Sequence, residues 1–314
     1  MLPAMPAEVL FDVADHYPEA RVVRTAMTAR DWVQVRTVVD PLPPTGRSML
    51  LGVVAEVPGA EETLEKVLAD DPQDSTAAAA LGRRWTSIGW KIRTSARAEH
   101  VSADQFATFH ERLRRAEAVL IDGVARNPGD PALWTARLTS GRGLEVGLAE
   151  IRRRYDKVIA LAPHHLPAQN ALLQSLCPKW SGSWELLHPW AREAVLAAPE
   201  GSVQGFLVVD AYLEHWIDLA EGEDQRFLSS EPVRNEIYEA ARRSVLHPAF
   251  GRDYGWVRAA SSFALVFSML GDRASAAAMF RMLGDYAEEY PWHYLGDPAT
   301  QIRQRRAWAL GGAQ

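Results

Sequence analysis

The chain of 314 residues carries a single cysteine, Cys177. It can therefore form no disulfide within itself and no cysteine-based metal cluster. Lysine is scarce. Of 34 basic residues only Lys66, Lys91, Lys157 and Lys179 are lysines, and 40 acidic residues leave a net charge of −6. Nucleic-acid binding normally needs a basic face, and this composition implies none. No run of 18 apolar residues occurs, so no membrane-spanning helix is expected. The start, MLPAMPAEVLFDVADHYPEA, lacks a basic n-region and a continuous apolar stretch, so the expectation is no signal peptide and a cytoplasmic address. A Gly-rich phosphate loop, a G-x-S-x-G elbow, a dinucleotide fingerprint and an H-E-x-x-H pair are all missing. No cofactor, metal, nucleic acid or membrane is expected as a partner.

What is there is helical. Apolar residues make up 47% of the chain and charged residues 24%, the balance of a folded protein with a sizeable core. Residues 257 to 290 read as one antiparallel helical hairpin: Ala264 and Phe267, a Gly271-Asp272 turn, then Ala276 and Phe280. Small residues let the partner backbone approach, and large ones fill the space beside it. Weaker copies precede it. Leu81-Gly82 with Trp85 begins one whose second helix carries Ala116 and Leu120. Asn127-Pro128, Ala162-Pro163 and Pro199 then punctuate the chain at intervals of about 35 residues. Asp130 caps a helix with Pro131 in its first position, and Ser183 caps another. The unit from Pro72 to Pro128 spans about 56 residues, which predicts an extended hairpin near residues 75–126. Its tip is RAEHVSADQF, and Ser102 and Gln105 form a capping box there.

Elsewhere, Pro18 starts a helix and Asp31 caps WVQVRTVV. PLPPTGR, residues 41 to 47, is expected to be a non-helical linker. Ser48 to Val57 and Ala60 to Ala69 form a helix pair. Ser202 caps a helix running to about Ala220, EGEDQRFLSSE is a polar loop, and Pro232 to Leu246 is a return helix. PWHYLGDP ends the last hairpin before a capping helix from Thr300 to Leu310.

These spacings resemble tetratricopeptide repeats, helix-turn-helix units of about 34 residues. The resemblance covers roughly residues 72 to 290 and is weakest at 202 to 248. Arg97 through Glu214 also resembles helical-repeat proteins of actinobacteria, a likeness that carries no activity with it. It implies an all-α fold, an α-solenoid of helical hairpins over 71–314 behind an irregular helical region at 1–70. It also implies a protein or peptide partner held without catalysis in the groove lined by the first helices. Carried onto this chain, the groove positions are Arg83, Thr86, Thr135, Thr139, Arg142, Asn170, Gln174, Arg258, Ser261 and Ser268. The Lys/Asn pattern of carboxylate-clamp members is not reproduced.

Several groups have a chemical reading beside a plain one. Asp70-Asp71-Pro72-Gln73-Asp74 matches D-D-x-x-D, but Pro72 breaks the helix that would align the aspartates, so a repeat junction is the better reading. Glu99, His100, His110 and Glu111 are ligand types near the hairpin tip without helical ligand spacing. His164-His165 lies in an inter-repeat turn. Cys177 reads as a buried thiol, whereas Trp180 and Trp184 near Lys179 exceed what a turn needs and are candidates for ligand contact. An alternative function, an enzyme or enzyme subunit acting on a peptide or small molecule, would draw on Glu99, His100, Lys179, Glu214 and His215, provided that they converge.

Overall fold

The computed structural model describes residues 8–94 and 101–311. Its helices are α1 (Val13–His16), α2 (Pro18–Thr28), α3 (Trp32–Val39), α4 (Pro44–Glu56), α5 (Ala60–Asp70), α6 (Ser75–Arg93), α7 (Ala103–Arg126), α8 (Pro131–Gly143), α9 (Leu148–Leu161) and α10 (Leu166–Leu176). They continue as α11 (Trp184–Ala197), α12 (Phe206–Trp216), α13 (Glu223–Leu228), α14 (Glu231–Arg243), α15 (Trp256–Met269), α16 (Arg273–Leu283) and α17 (Pro298–Leu310). The fold class is all-α, and neighbouring helices pack on one another. Among the described residues the only β pairing is an isolated bridge from Leu10 to Tyr286. No described helix is long and apolar enough to cross a membrane.

The chain divides into two compact units, one of residues 17–182 and one of 1–16 with 183–314. Residues 1–70, read from the sequence as a region of their own, are shared between the two. Within the 17–182 unit, α4 packs on α6, α6 on α8 and α8 on α10, while α5, α7 and α9 pack behind them. Helix α4 also touches α8 and α10, so these inner helices gather around one another. The extended hairpin is α6 with α7, and the capping box of Ser102 and Gln105 is formed. Gln105 also donates from Nε2 to the Ile92 carbonyl at 2.9 Å, which ties the start of α7 to the end of α6. Gly82 lets the two helices close up, because a Cβ there would fall inside the Leu120 side chain.

The other unit is built on α15, whose residues from Trp256 to Ser268 are nearly all buried. A helix apolar all round is an interior helix. It packs on α12 and α16, and α16 packs on α17. Residues 285–287 hold the chain near Leu10: Leu10 N–H donates to Asp285 O at 2.8 Å, and Ala287 N–H donates to Leu10 O at 3.0 Å.

Two expected loops are in part helical. Only residues 41–43 of PLPPTGR lie outside a helix, and Pro44 opens α4. A proline's missing N–H costs nothing in a first turn, and its fixed φ suits one. In EGEDQRFLSSE, Gly222 turns the chain at φ 83° and Glu223 and Asp224 then occupy the first turn of α13. Negative charge favours that end of a helix, and Leu228, fully buried, anchors it. Two helices are shorter than expected. A 3-10 turn at Val203–Gly205 precedes α12, which ends at Trp216, and α16 ends at Leu283, with Gly284 at φ 60°.

Candidate functional site

The 17–182 unit holds a concave pocket of about 470 Å³. Helix α4 contributes Gly52, Ala55 and Glu56; α6 contributes Arg83, Thr86, Ser87, Trp90 and Lys91, followed by Thr94; α8 contributes Ala136 and Thr139. Within each helix these residues recur at three- and four-residue intervals, the spacing of a single face. The pocket lies toward the C-terminal halves of its helices. At their N-terminal ends the same helices are clasped by polar contacts. Arg47 of α4 forms a bidentate pair with Asp130, the cap of α8, and also donates to Thr76 Oγ1 at 2.8 Å. Thr76 in turn donates to Asp40 Oδ1 at 3.0 Å.

His165 belongs to the same clasp. Its Nδ1 accepts from the Ala168 N–H and caps α10, which leaves the proton on Nε2, facing Pro44 O at 3.2 Å and Ser48 Oγ at 3.1 Å. Burial pushes its pKa down to about 4, so the ring is neutral near pH 7.

At the rim, Lys91 pairs with Glu56, and Ser87 Oγ donates to the same carboxylate at 2.7 Å. Burial works against the Glu56 charge, but those two bonds outweigh it and hold its pKa below the usual range. Arg83 stands apart. Its Nη1 is shielded from solvent without a hydrogen-bond partner, and burial alone pushes its pKa down to about 10, so it remains charged.

Of the groove positions expected from the sequence, Arg83, Thr86 and Thr139 line this pocket. Thr135 does not: it is 2% exposed, and its hydroxyl donates to Pro131 O at 2.7 Å, the usual back-bond of an interior threonine. Arg142 is half-buried beside the pocket, its guanidinium 5.3 Å from the Trp90 ring and 5.1 Å from that of Trp180. The two tryptophans meet edge to face at 5.5 Å. Asn170 and Gln174 are half-buried on α10 and do not line the pocket.

Arg258, Ser261 and Ser268 belong to the other unit, and Ser261 and Ser268 are buried. Ser261 is fully buried and its Oγ accepts from Glu288 N–H at 3.3 Å, while Ser268 Oγ donates to Ala264 O. The reason is the burial of α15 on nearly every side. Arg258 is bound to Asp210, Nη2 to Oδ2 at 2.6 Å, beneath the Tyr290 ring at 3.7 Å. Burial pushes the Asp210 pKa up, though Arg258 and Ser262 oppose it, and the charge of Asp210 in turn holds Arg258 above its ordinary value against burial.

Two residues of the enzyme reading, Glu214 and His215, are neighbours on α12. Glu214 and His215 diverge, as neighbours on a helix must. Glu214 accepts from Tyr294 Oη at 2.8 Å and Tyr290 Oη at 3.3 Å. His215 shares a proton with His188, Nδ1 to Nε2 at 2.9 Å, and stacks on Trp184 at 4.3 Å between ring centres. Lys179 is exposed and, with Trp180, lies in the 17–182 unit, whereas Trp184 lies in the other. Glu99 and His100 fall outside the described residues. Among the described residues no group of three His, Cys, Asp or Glu side chains could hold a metal ion. Cys177 is buried, and Asp74 of the D-D-x-x-D stretch caps α6 while accepting from Trp32 Nε1 at 2.8 Å.

The wall formed by α4 escaped the sequence reading, which took residues 1–70 as outside the repeats. Its signal was available: Gly52, Ala55 and Glu56 share one helical face, two small residues and a charged one, where a core-facing helix would place large apolar side chains.

No family model, no curated protein and no solved structure matches the chain.

Proposed function

We propose that the chain is a non-catalytic binding module, a solenoid-like array of helical hairpins that takes a segment of a protein or peptide partner into the pocket of α4, α6 and α8. One observation supports this reading above the rest: three inner helices turn small and polar side chains toward a common concavity of about 470 Å³. A pocket of that size suits one or two side chains of a bound segment. The Trp90 and Trp180 pair at its edge, with Arg142 over both rings, offers a flat face beside it. The enzyme alternative has less support, because Glu214 and His215 serve two different clusters.

Display of a random peptide library against the purified protein tests this. Enriched peptides are expected to bind the wild type and to lose binding to Gly52→Leu, which fills the pocket from α4. Peptides that bind both proteins equally would place recognition elsewhere, and a library that enriches nothing would count against a peptide ligand.

A further inference from the structure

The pocket contains one charge with no counterpart. Among the described residues nothing donates to, accepts from or pairs with Arg83, and burial pushes the pKa of its guanidinium down. The acid that lines the pocket with it, Glu56, is engaged by Lys91 and Ser87. A largely buried, unpaired cation is costly to keep, and cores normally pair it or replace it. The residue of α4 nearest the guanidinium is the glycine Gly52. A Cβ built on Gly52 would come no nearer than 3.8 Å to Arg83 Nη2, so room is left over the guanidinium.

We propose that Arg83 is the receptor for the carboxylate of a ligand with an apolar body, an assignment that rests on the groove reading only in using the same pocket. A guanidinium presents two parallel N–H donors that match a carboxylate. A single cation balances a single negative charge. A phosphate dianion is disfavoured, because the pocket sits toward the negative C-terminal ends of its helices and carries Glu56 at its rim. Phosphates prefer the opposite, N-terminal ends. Ala55, Ala136 and the Trp90 ring provide the apolar wall on which the ligand body would rest. The carboxylate could be that of a free organic acid or of a peptide.

The test uses the whole chain in calorimetric titration and thermal melting. The probes are benzoate, its neutral isostere benzamide, inorganic phosphate, and short peptides with a free or an amidated C-terminus. Benzoate is expected to bind and raise the melting temperature, with benzamide and phosphate about tenfold weaker or worse. Arg83→Leu is expected to lose the benzoate response while melting at or above the wild-type temperature, because an unpaired charge has been removed. Gly52→Leu is expected to lose the response with the fold intact. Binding of benzoate but of no peptide supports the carboxylate site and overturns the peptide groove. Binding of free-acid but not amidated peptides supports both. A benzoate response no larger than that of benzamide, or one that survives in both variants, overturns the proposal. So does an Arg83→Leu protein that melts well below the wild type, since Arg83 would then be a structural group.

Discussion

Arg47 grips Asp130 with both guanidinium nitrogens, Nη1 to Oδ1 at 2.7 Å and Nη2 to Oδ2 at 2.8 Å, across 83 residues of sequence. The pair joins the start of α4 to the start of α8, and both side chains are largely buried, 14% and 9% exposed. Removing one partner leaves a buried charge alone, at a cost of about 3–5 kcal/mol. Arg47→Met is therefore expected to lose stability on that scale in urea unfolding. Adding Asp130→Asn, which keeps an acceptor for the Ala132 N–H, should restore about 1 kcal/mol or more. A double variant as unstable as the single one would show that the charge pair is not the clasp.

Two glycines on adjacent inner helices should respond to alanine with opposite signs. A Cβ on Gly52 would make one ordinary contact, with Arg83 Nη2 at 3.8 Å, whereas one on Gly82 would fall inside Leu120. In both places alanine improves helix propensity by roughly 0.5–1 kcal/mol. Gly52→Ala is expected to keep that gain. Gly82→Ala is expected to lose about 1–3 kcal/mol by forcing α6 and α7 apart. Melting curves of the two variants decide the matter, and equal signs would mean that α6 and α7 do not approach as described.

Acid should destabilise the 17–182 unit through His165. Burial lowers the His165 pKa from 6.5 to about 4 in the folded chain. Unfolded chains therefore take up the proton first as pH falls. The stabilising contribution is complete above 6.5 and is lost between there and about 4, on the order of 3 kcal/mol for this ring. His165→Asn keeps an acceptor for the Ala168 N–H and should flatten that slope. Urea midpoints across the window check it, and an unchanged slope would assign the pH dependence to other groups. In the other unit, burial and His215 lower His188 to about 4 as well, so His188 adds to the slope measured on the whole chain.

Arg142→Glu removes the cation over Trp90 and Trp180 and reverses the charge beside the pocket. The folded chain should survive with a loss of about 1 kcal/mol. Tryptophan fluorescence should change, and binding of a selected peptide should fall about tenfold or more. Asn170→Asp, from the same expected groove, should weaken binding only if the peptide extends onto α10. Binding unaffected by Arg142→Glu would separate the tryptophan pair from the site.

The sequence made the helices more legible than their exposure. Local signals are short-range, and several held: Pro131 after the capping Asp130, Asp31 before WVQVRTVV, the box of Ser102 and Gln105; Ser183 and Ser202 stand at cap positions but make no side-chain cap bond. Proline misled once, because Pro44 stands in a first turn rather than inside a helix. Groove positions were harder. Which face of a helix remains open depends on distant segments, and nothing near Ser261 announces that Glu288 will bond to it. Arg83 was found because its place in the repeat pattern puts it on the inner face. Its want of a partner is a fact about every surrounding helix and cannot be read from any one of them.

The bridge between Leu10 and Tyr286 bears on how the protein is made. The 17–182 unit is one continuous stretch, so it can close on itself as soon as it leaves the ribosome. The other unit cannot. Residues 8–16 are made before the whole 17–182 stretch and their partners at 285–287 only after it, so Leu10 stays unpaired while that unit is made.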